Sequence, residues 1–336
     1  MKVLVVKTSS MGDLIHTLPA LTDASKAIPG IQFDWVAEQG FAEIPGWHPA
    51  VDKTFAIAIR RWRKTLRQSW QQREIQTAFG QIRAVEYDFI IDAQGLFKSA
   101  VVARSARGVH CGMDWGSCRE SLAALFYQNK IPIAKQQHAI IRVRQLFAQV
   151  LGYSLVSENL DYGLSRDSML ANNNAIKTGD KPYLVFLHGT SRLAKYWRQD
   201  QWVALSKLAV QAGYSVYLPW GSDHERQYAE AIAAQTENVK VLAKMNLSEI
   251  GVVLAKAKGV VGVDTGLAHL AAALNVPAVT LYIETFPSLT GACGFNQTCL
   301  TEKQAASESL PVIGLETRFH EQITADIVWE ELAAKF

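Results

Sequence analysis

Two groups of residues in this 336-residue chain combine reactive side chains with the spacing that chemistry needs. Asp13 closes the small, polar run Lys7-Thr8-Ser9-Ser10-Met11-Gly12-Asp13, directly after apolar residues 3–6. An acid at a helix entrance commonly does no more than complement the helix dipole, but in a cleft it is a candidate general base. The second group lies far along the chain. Residues 259–263 form an apolar run that ends in Asp264-Thr265-Gly266, followed at once by a small-residue helical pattern with Leu267, Leu270, Ala271 and Leu274 on one face. Asp264 and Thr265 stand where N-caps stand, and Gly266 lets the backbone approach a ligand closely. The free N–H groups of such a helix start suit an anion. His269 has the spacing of a core-facing residue; a satisfied buried histidine is its first reading and a ligand contact its second.

Two further loops converge on the same chemistry. His188-Gly189-Thr190-Ser191 with Lys195 supplies backbone and hydroxyl donors and one ammonium for a phosphate. Pro219-Trp220-Gly221-Ser222-Asp223-His224-Glu225 supplies a carboxylate suited to ribose hydroxyls. Taken together, these loops predict a nucleotide-diphosphate site in the second half of the chain. Some alternatives fall away: there is no Gly-x-Gly for a dinucleotide fingerprint, and no Gly-Lys-Ser/Thr for a P-loop. Neither an Asp-x-Asp pair nor a His/Cys cluster suggests a metal, and no cofactor is expected.

The elements that must carry these loops alternate between strand and helix. Residues 3–6, 33–36 and 89–91 read as strands, and residues 14–27 as a helix with Pro19 awkwardly inside it. A polar stretch near residues 172–182 is the best linker. Strands at 184–187, 215–218, 239–242, 259–263 and 278–282 then alternate with helices at 200–212, 224–235, 247–257 and 266–274, and Thr324 can cap a last helix. This is the pattern of two parallel sheets covered on both faces, with ligands beyond the carboxyl ends of the strands. A chain of this length exceeds what one core supports. The start is too short in apolar residues for a signal peptide, so the chain is expected to stay in the cytoplasm. The four cysteines are expected to be reduced.

Net charge is only +3, yet residues 1–168 carry 20 basic against 15 acidic side chains, and the remainder 14 against 16. The excess peaks from Arg60 through Arg61, Trp62, Arg63, Lys64 and Arg67 to Trp70 and Arg73, with no acid between Asp52 and Glu74. Such runs are usually solvated faces. With two tryptophans, this one suits an anionic, amphipathic partner at a membrane surface. Nucleic acid is disfavoured, since the rest of the chain is near neutral and lacks a recognition motif.

Over nearly its full length the chain resembles the ADP-heptose:lipopolysaccharide heptosyltransferases (glycosyltransferase family 9). The resemblance rests on Lys7-Thr-Ser-Ser-Met-Gly-Asp13, Asp92-Ala-Gln-Gly-Leu-Phe-Lys-Ser99, Phe186-Leu-His-Gly-Thr-Ser191 with Lys195-Tyr-Trp197, and Val263-Asp-Thr-Gly-Leu-Ala-His269. Four stretches, 59–64, 112–115, 134–138 and 218–221, look most like the members that place the first heptose on the Kdo of Kdo2-lipid A. The resemblance implies two facing Rossmann-like α/β domains with parallel sheets, the GT-B architecture. It divides the chain into an acceptor domain at 1–168, a linker at 169–182, a donor domain at 183–316, and a C-terminal helix at 317–336 packing back towards the N-terminal domain. It implies inverting, metal-independent transfer of heptose from ADP-heptose to Kdo2-lipid A, at the cytoplasmic face of the inner membrane, without nucleic acid. Asp13 would be the base. Thr190, Ser191, Lys195, Glu225, Met245, Asp264, Thr265, Gly266 and His269 would serve the donor; Arg60, Arg61, Arg63, Lys64, Lys98 and Arg119 would serve the acceptor. A heptosyltransferase adding the second heptose, a nucleotide-sugar epimerase of the same fold and a non-catalytic lipopolysaccharide binder remain as alternatives. One stretch departs from the family: Tyr282-Ile283-Glu284-Thr285-Phe286-Pro287 stands where relatives usually have Tyr-Gly-x-Thr-x-Pro. Either that loop swings away or the donor pocket is altered.

Overall fold

The computed structural model describes residues 1–155, 160–171, 181–190, 192–303 and 314–336. The chain forms two compact units, Met1–Gly163 and Leu164–Phe336. In the first, β1 (Lys2–Val6), β2 (Gln32–Glu38), β3 (Val51–Ile57), β4 (Glu86–Asp92), β5 (Arg107–Met113) and β6 (Asn129–Ile131) build a parallel sheet in the order β3-β2-β1-β4-β5-β6. In the second, β7 (Tyr183–Leu187), β8 (Ser215–Leu218), β9 (Val239–Val241), β10 (Gly259–Val263), β11 (Ala278–Tyr282), β12 (Gln297–Thr301) and β13 (Thr317–Phe319) lie in the order β13-β12-β11-β10-β7-β8-β9. Both sheets are Rossmann-like, and the order reverses once in each: between β1 and β4, and between β7 and β10. At such a reversal the outgoing loops diverge to opposite faces and leave a crevice at the strand ends. The fold therefore puts the loops after Val6 and Asp92 together, and separately those after Leu187 and Val263.

Local sequence explains most of the elements. Residues Val3 to Val6 have no exposed surface, as a central strand covered on both faces requires. The helix expected over 14–27 is instead two helices, Met11–Ile15 and Leu18–Ala27. The break places Pro19 in a first turn, where its missing N–H has no partner to lose. β12, whose Gln-Thr-Cys-Leu-Thr does not read as apolar, is nevertheless buried along its whole length between β11 and β13.

The units divide at Gly163/Leu164, ahead of the expected boundary at 168. The helix Arg166–Ala171 lies against the helix Leu247–Lys256 of the second unit, where a Cβ on Gly251 would sit 2.9 Å from the sulfur of Met169. Arg166 also donates to the carbonyls of Leu274 and Asn275. Residues 172–180 of the expected linker lie outside the described residues. The C-terminal helix, Ala325–Ala333, buries its apolar side, Val328 and Leu332, in the second unit's own core with Trp202, Phe186 and Val261. The Trp197 indole donates to Ile323 O at 3.0 Å, and Ala325 N to Gln201 Oε1 at 2.8 Å, which fixes the helix start. Thr324 occupies the N-cap with an extended backbone, but its side chain makes no cap bond.

Candidate active site

In the first unit the crevice is built from Asp92 outwards. This carboxylate has no exposed surface and accepts four hydrogen bonds: Tyr127 OH at 2.7 Å, Ser99 Oγ at 2.8 Å, Gln94 N at 2.9 Å and Gly95 N at 3.1 Å. Burial raises its pKa and these donors pull it partly back, with the net shift upward. So anchored, the turn after β4 aims Gln94 at the loop after β1. Its Oε1 accepts from Thr8 N and from Thr8 Oγ1, both at 2.7 Å, and its Nε2 donates to Ser9 O at 2.8 Å.

The loop held in this way presents Asp13 at the third position of the helix Met11–Ile15. Asp13 Oδ2 accepts from Ser10 N at 2.8 Å and Ser10 Oγ at 2.9 Å; Oδ1 lies 3.8 Å from Lys7 Nζ. Lys7 is buried and donates to Ala93 O at 2.9 Å. Burial pushes the Asp13 pKa up, but Lys7, the two Ser10 bonds and Arg119 outweigh it, so the group sits below its ordinary 3.8. Burial lowers the Lys7 pKa further than Asp13 and Asp92 restore it. The result is an ionised carboxylate with 30 % of its side chain exposed.

Around this core the expected acceptor cations divide. Arg119 is exposed and close enough to act on both Asp13 and Lys7. Lys98 is exposed in the first turn of the helix Phe97–Arg104. Arg60 is tied back to the loop: its N–H donates to Glu38 Oε1 at 3.0 Å, and Glu38 N donates to Thr8 O at 2.9 Å. Arg63 and Lys64 are exposed, whereas Arg61 is paired with Glu74 at 2.7 Å. The basic run also corrects one expectation. Trp62 is not offered to a partner: it is buried in the first unit's core, tilted against Phe79, with its indole N–H on Glu74 at 3.0 Å. Trp70 is 58 % exposed.

In the second unit, Lys195 Nζ lies 2.5 Å from Asp264 Oδ2, and Thr285 Oγ1 donates to the same oxygen at 2.8 Å. Thr265 is the N-cap of the helix Gly266–Ala273, so its first N–H groups open beside this pair. Glu225 Oε2 accepts from Gly221 N at 2.7 Å and Ser222 N at 2.9 Å. Oε1 faces Gly189 so closely that a Cβ there would come within 2.7 Å of it, and any larger residue would have to displace the carboxylate. His188 Nε2 donates to Glu225 O at 3.0 Å, joining the two loops. Trp220 Nε1 donates to Leu242 O at 2.7 Å and ties the same loop to the segment carrying part-buried Met245. Thr190 is buried, Ser191 lies outside the described residues, and His269 is buried and engaged. In the departing stretch, Glu284 is directed to Lys303 at 3.6 Å, while Thr285 returns to Asp264. Of the residues above, Lys7, Asp92 with its partners Gln94, Ser99 and Tyr127, and Thr285 were not foreseen as site residues. The polar run after the apolar 89–91 was the available signal for Asp92, Gln94 and Ser99; Tyr127 lies 35 residues beyond Asp92 and outside it.

The paired Rossmann-like parallel sheets, with strand order reversing once in each, give this chain the GT-B architecture of glycosyltransferases. The family model for glycosyltransferase family 9 (heptosyltransferase) matches residues 75–311, and the chain belongs to that family. It is 51 % identical over 298 residues to lipopolysaccharide heptosyltransferase 1 of Pseudomonas aeruginosa, covering 88 % of this chain and 82 % of that one. The Escherichia coli heptosyltransferase 1 is also 51 % identical over 298 residues, covering 88 % and 92 %. The structure of E. coli heptosyltransferase WaaC with ADP superposes with a TM-score of 0.89 and 45 % identity over 100 % of both chains.

Replacing Gln94 with Ala removes the partners of Thr8 and Ser9 without touching Asp13. The Thr8 amide is expected to exchange at least roughly tenfold faster in hydrogen-exchange mass spectrometry or NMR, with the Asp92 hydrogen bonds intact. An unchanged rate would mean that the loop is held by something other than this amide.

Proposed function

We propose that this chain is an inverting heptosyltransferase that moves L-glycero-D-manno-heptose from ADP-heptose to the Kdo of Kdo2-lipid A. The observation that carries the reading is its 51 % identity, over most of both chains, with heptosyltransferases 1. A relative that is a heptosyltransferase 2 is only 24 % identical, which favours addition of the first heptose over the second.

The chemistry follows from the two crevices. A sugar hydroxyl is a weak nucleophile, and an ionised, hydrogen-bonded Asp13 is a base that can take its proton as the bond to the anomeric carbon forms. Attack opposite the leaving group inverts the anomeric centre through an oxocarbenium-like transition state. ADP departs with growing negative charge. Lys195, Thr190 and the N–H groups following Thr265 would meet that charge, with Ser191 as a further donor. Asp264 competes for the same ammonium, so a diphosphate must draw Lys195 away from it. Glu225 Oε1 is the oxygen left for ribose hydroxyls, and the backbone at Met245 would meet the adenine. Arg119, Lys98, Arg60, Arg63 and Lys64 would receive the phosphates and Kdo carboxylates of the acceptor. Arg61, already neutralised by Glu74, would act on that partner only indirectly. No helix among the described residues is long and apolar enough to cross a membrane, and the reading places the protein peripherally at the cytoplasmic face.

Incubation of ADP-heptose with Kdo2-lipid A should release ADP and add one heptose to the acceptor mass. Asp13→Ala should lower kcat by roughly 100-fold or more while the donor dissociation constant stays within about twofold. Near-normal kcat would remove Asp13 from its role, and ADP release without acceptor gain would sink the transfer itself. The pH profile gives a second check. A base with a depressed pKa is active above that pKa and lost as pH falls through it, so the acidic limb belongs below the ordinary 3.8. Lys7→Met removes the charge that depresses it and should move the limb to higher pH; a stationary limb would show that Asp13 is not the titrating group. For the acceptor, combined Arg60→Ala, Arg63→Ala and Lys64→Ala should raise KM several-fold and flatten its salt dependence, at about constant donor KM. No effect on either would return these residues to ordinary solvated charge.

A further inference from the structure

At the opposite end of the first sheet from Asp13, where the helix Phe97–Arg104 ends and β5 begins, a groove of about 780 Å³ opens. Arg83, Arg104 and Arg107 line it beside Phe79 and Phe126, with no carboxylate in the lining. Among the described residues none of these arginines is ion-paired. Three like charges gathered at one cavity repel each other unless an anion joins them.

An apolar stripe leads into this groove. Phe97, Val101 and Arg104 share one face of their helix by their spacing, and Phe97 and Val101 are 47 % and 42 % exposed. Beside them the 3-10 helix Ser121–Phe126 exposes Leu122 and Leu125 by 59 % and 62 %. The two elements are in contact through the rings of Phe97 and Phe126, 5.4 Å apart edge to face. At the other end of the stripe stand Lys98 and Arg119. Glu120, the acid in this region, has its carboxylate on Phe97 N at 2.7 Å. Four clustered, exposed apolar side chains mark an interaction surface rather than scattered exposure.

We propose that this face docks onto an anionic phospholipid bilayer. Phe97, Val101, Leu122 and Leu125 enter the boundary between headgroups and acyl chains, and Arg83, Arg104 and Arg107 bind headgroup phosphate in the groove. The charge decides between occupants. A second copy of the chain would set arginines against arginines across a twofold axis, whereas an anionic headgroup neutralises them. The stripe also begins at the cations assigned to the acceptor, so one orientation brings a lipid-borne acceptor and the bilayer to the same side of the unit. The proposal rests on the acceptor being carried by a lipid, and it adds a lipid site separate from the acceptor's.

The test is sedimentation of the full-length protein with phosphatidylglycerol-rich or pure phosphatidylcholine vesicles, without donor or acceptor. Wild type should bind the anionic vesicles more tightly, and less so as salt rises. Leu122→Ser/Leu125→Ser and Arg104→Gln/Arg107→Gln should each weaken that binding at least roughly tenfold, and the arginine variant should also lose the salt dependence. Both should keep wild-type melting temperature and turnover on a deacylated, water-soluble acceptor. Vesicle binding equal to wild type in both variants overturns the proposal, as does failure of the wild type to bind. A change of oligomeric state in the leucine variant would show an interface between copies and overturn it too. Absence of turnover by the wild type on Kdo2-lipid A and on the deacylated acceptor, with its vesicle binding intact, would instead count against the transferase reading alone.

Discussion

The first unit's chemistry depends on one buried carboxylate. Asp92 lies at the end of β4 with no access to water, a placement that would cost several kcal/mol for an unpartnered charge. Tyr127, Ser99 and two backbone N–H groups satisfy it from three directions. Those bonds shape the turn that carries Gln94, and Gln94 fixes the loop from which Asp13 projects. Asp92 thus bears on Asp13 through other groups. Its value is rigidity, because a base must be held within a few tenths of an ångström to be useful.

The second unit solves a different problem with the same topology. On the proposed reading its crevice receives a leaving group with negative charge, and its groups are an ammonium, hydroxyls and helix-start N–H groups. Asp264, itself held by Thr285, fixes the position of Lys195, which limits the entropy lost when that side chain meets a phosphate. The stretch from Tyr282 to Pro287, unlike its family counterpart, keeps its extra acid away by pairing Glu284 with Lys303. Its threonine keeps a hydrogen bond to Asp264 at 2.8 Å.

Short apolar strands ending in polar loops were legible because a parallel sheet covered on both faces demands continuous apolar runs, as at Val3 to Val6 and Gly259 to Val263. Among the edge strands β9 was legible at 239–242, but β3 and β13 were not: β3 is partly exposed along most of its length and β13 is exposed throughout, so neither carries a burial pattern. β12 was missed for the opposite reason: its threonines and glutamine are buried, with Gln297 Nε2 donating to Val276 O at 2.7 Å. The tryptophans of the basic run show the same limit. Trp62 and Trp70 look alike in sequence, yet one fills the core and the other meets solvent, since only packing against Phe79 and Glu74 separates them.

The sequence by itself determined the fold class, the family, the loops that carry chemistry and the identity of Asp13, Lys195 and Asp264 as candidates. These follow from short-range pattern: an apolar run, a glycine, a cap, a charge. Tertiary structure decided how they are held. The Asp92–Gln94–Thr8 chain of contacts joins residues about 85 apart in sequence, and the Lys195–Asp264 pair joins residues 69 apart. It also decided where the C-terminal helix is buried and which charge of the basic run is already neutralised. No local pattern encodes such pairings, because they exist only once the order of strands in each sheet has brought the loops together.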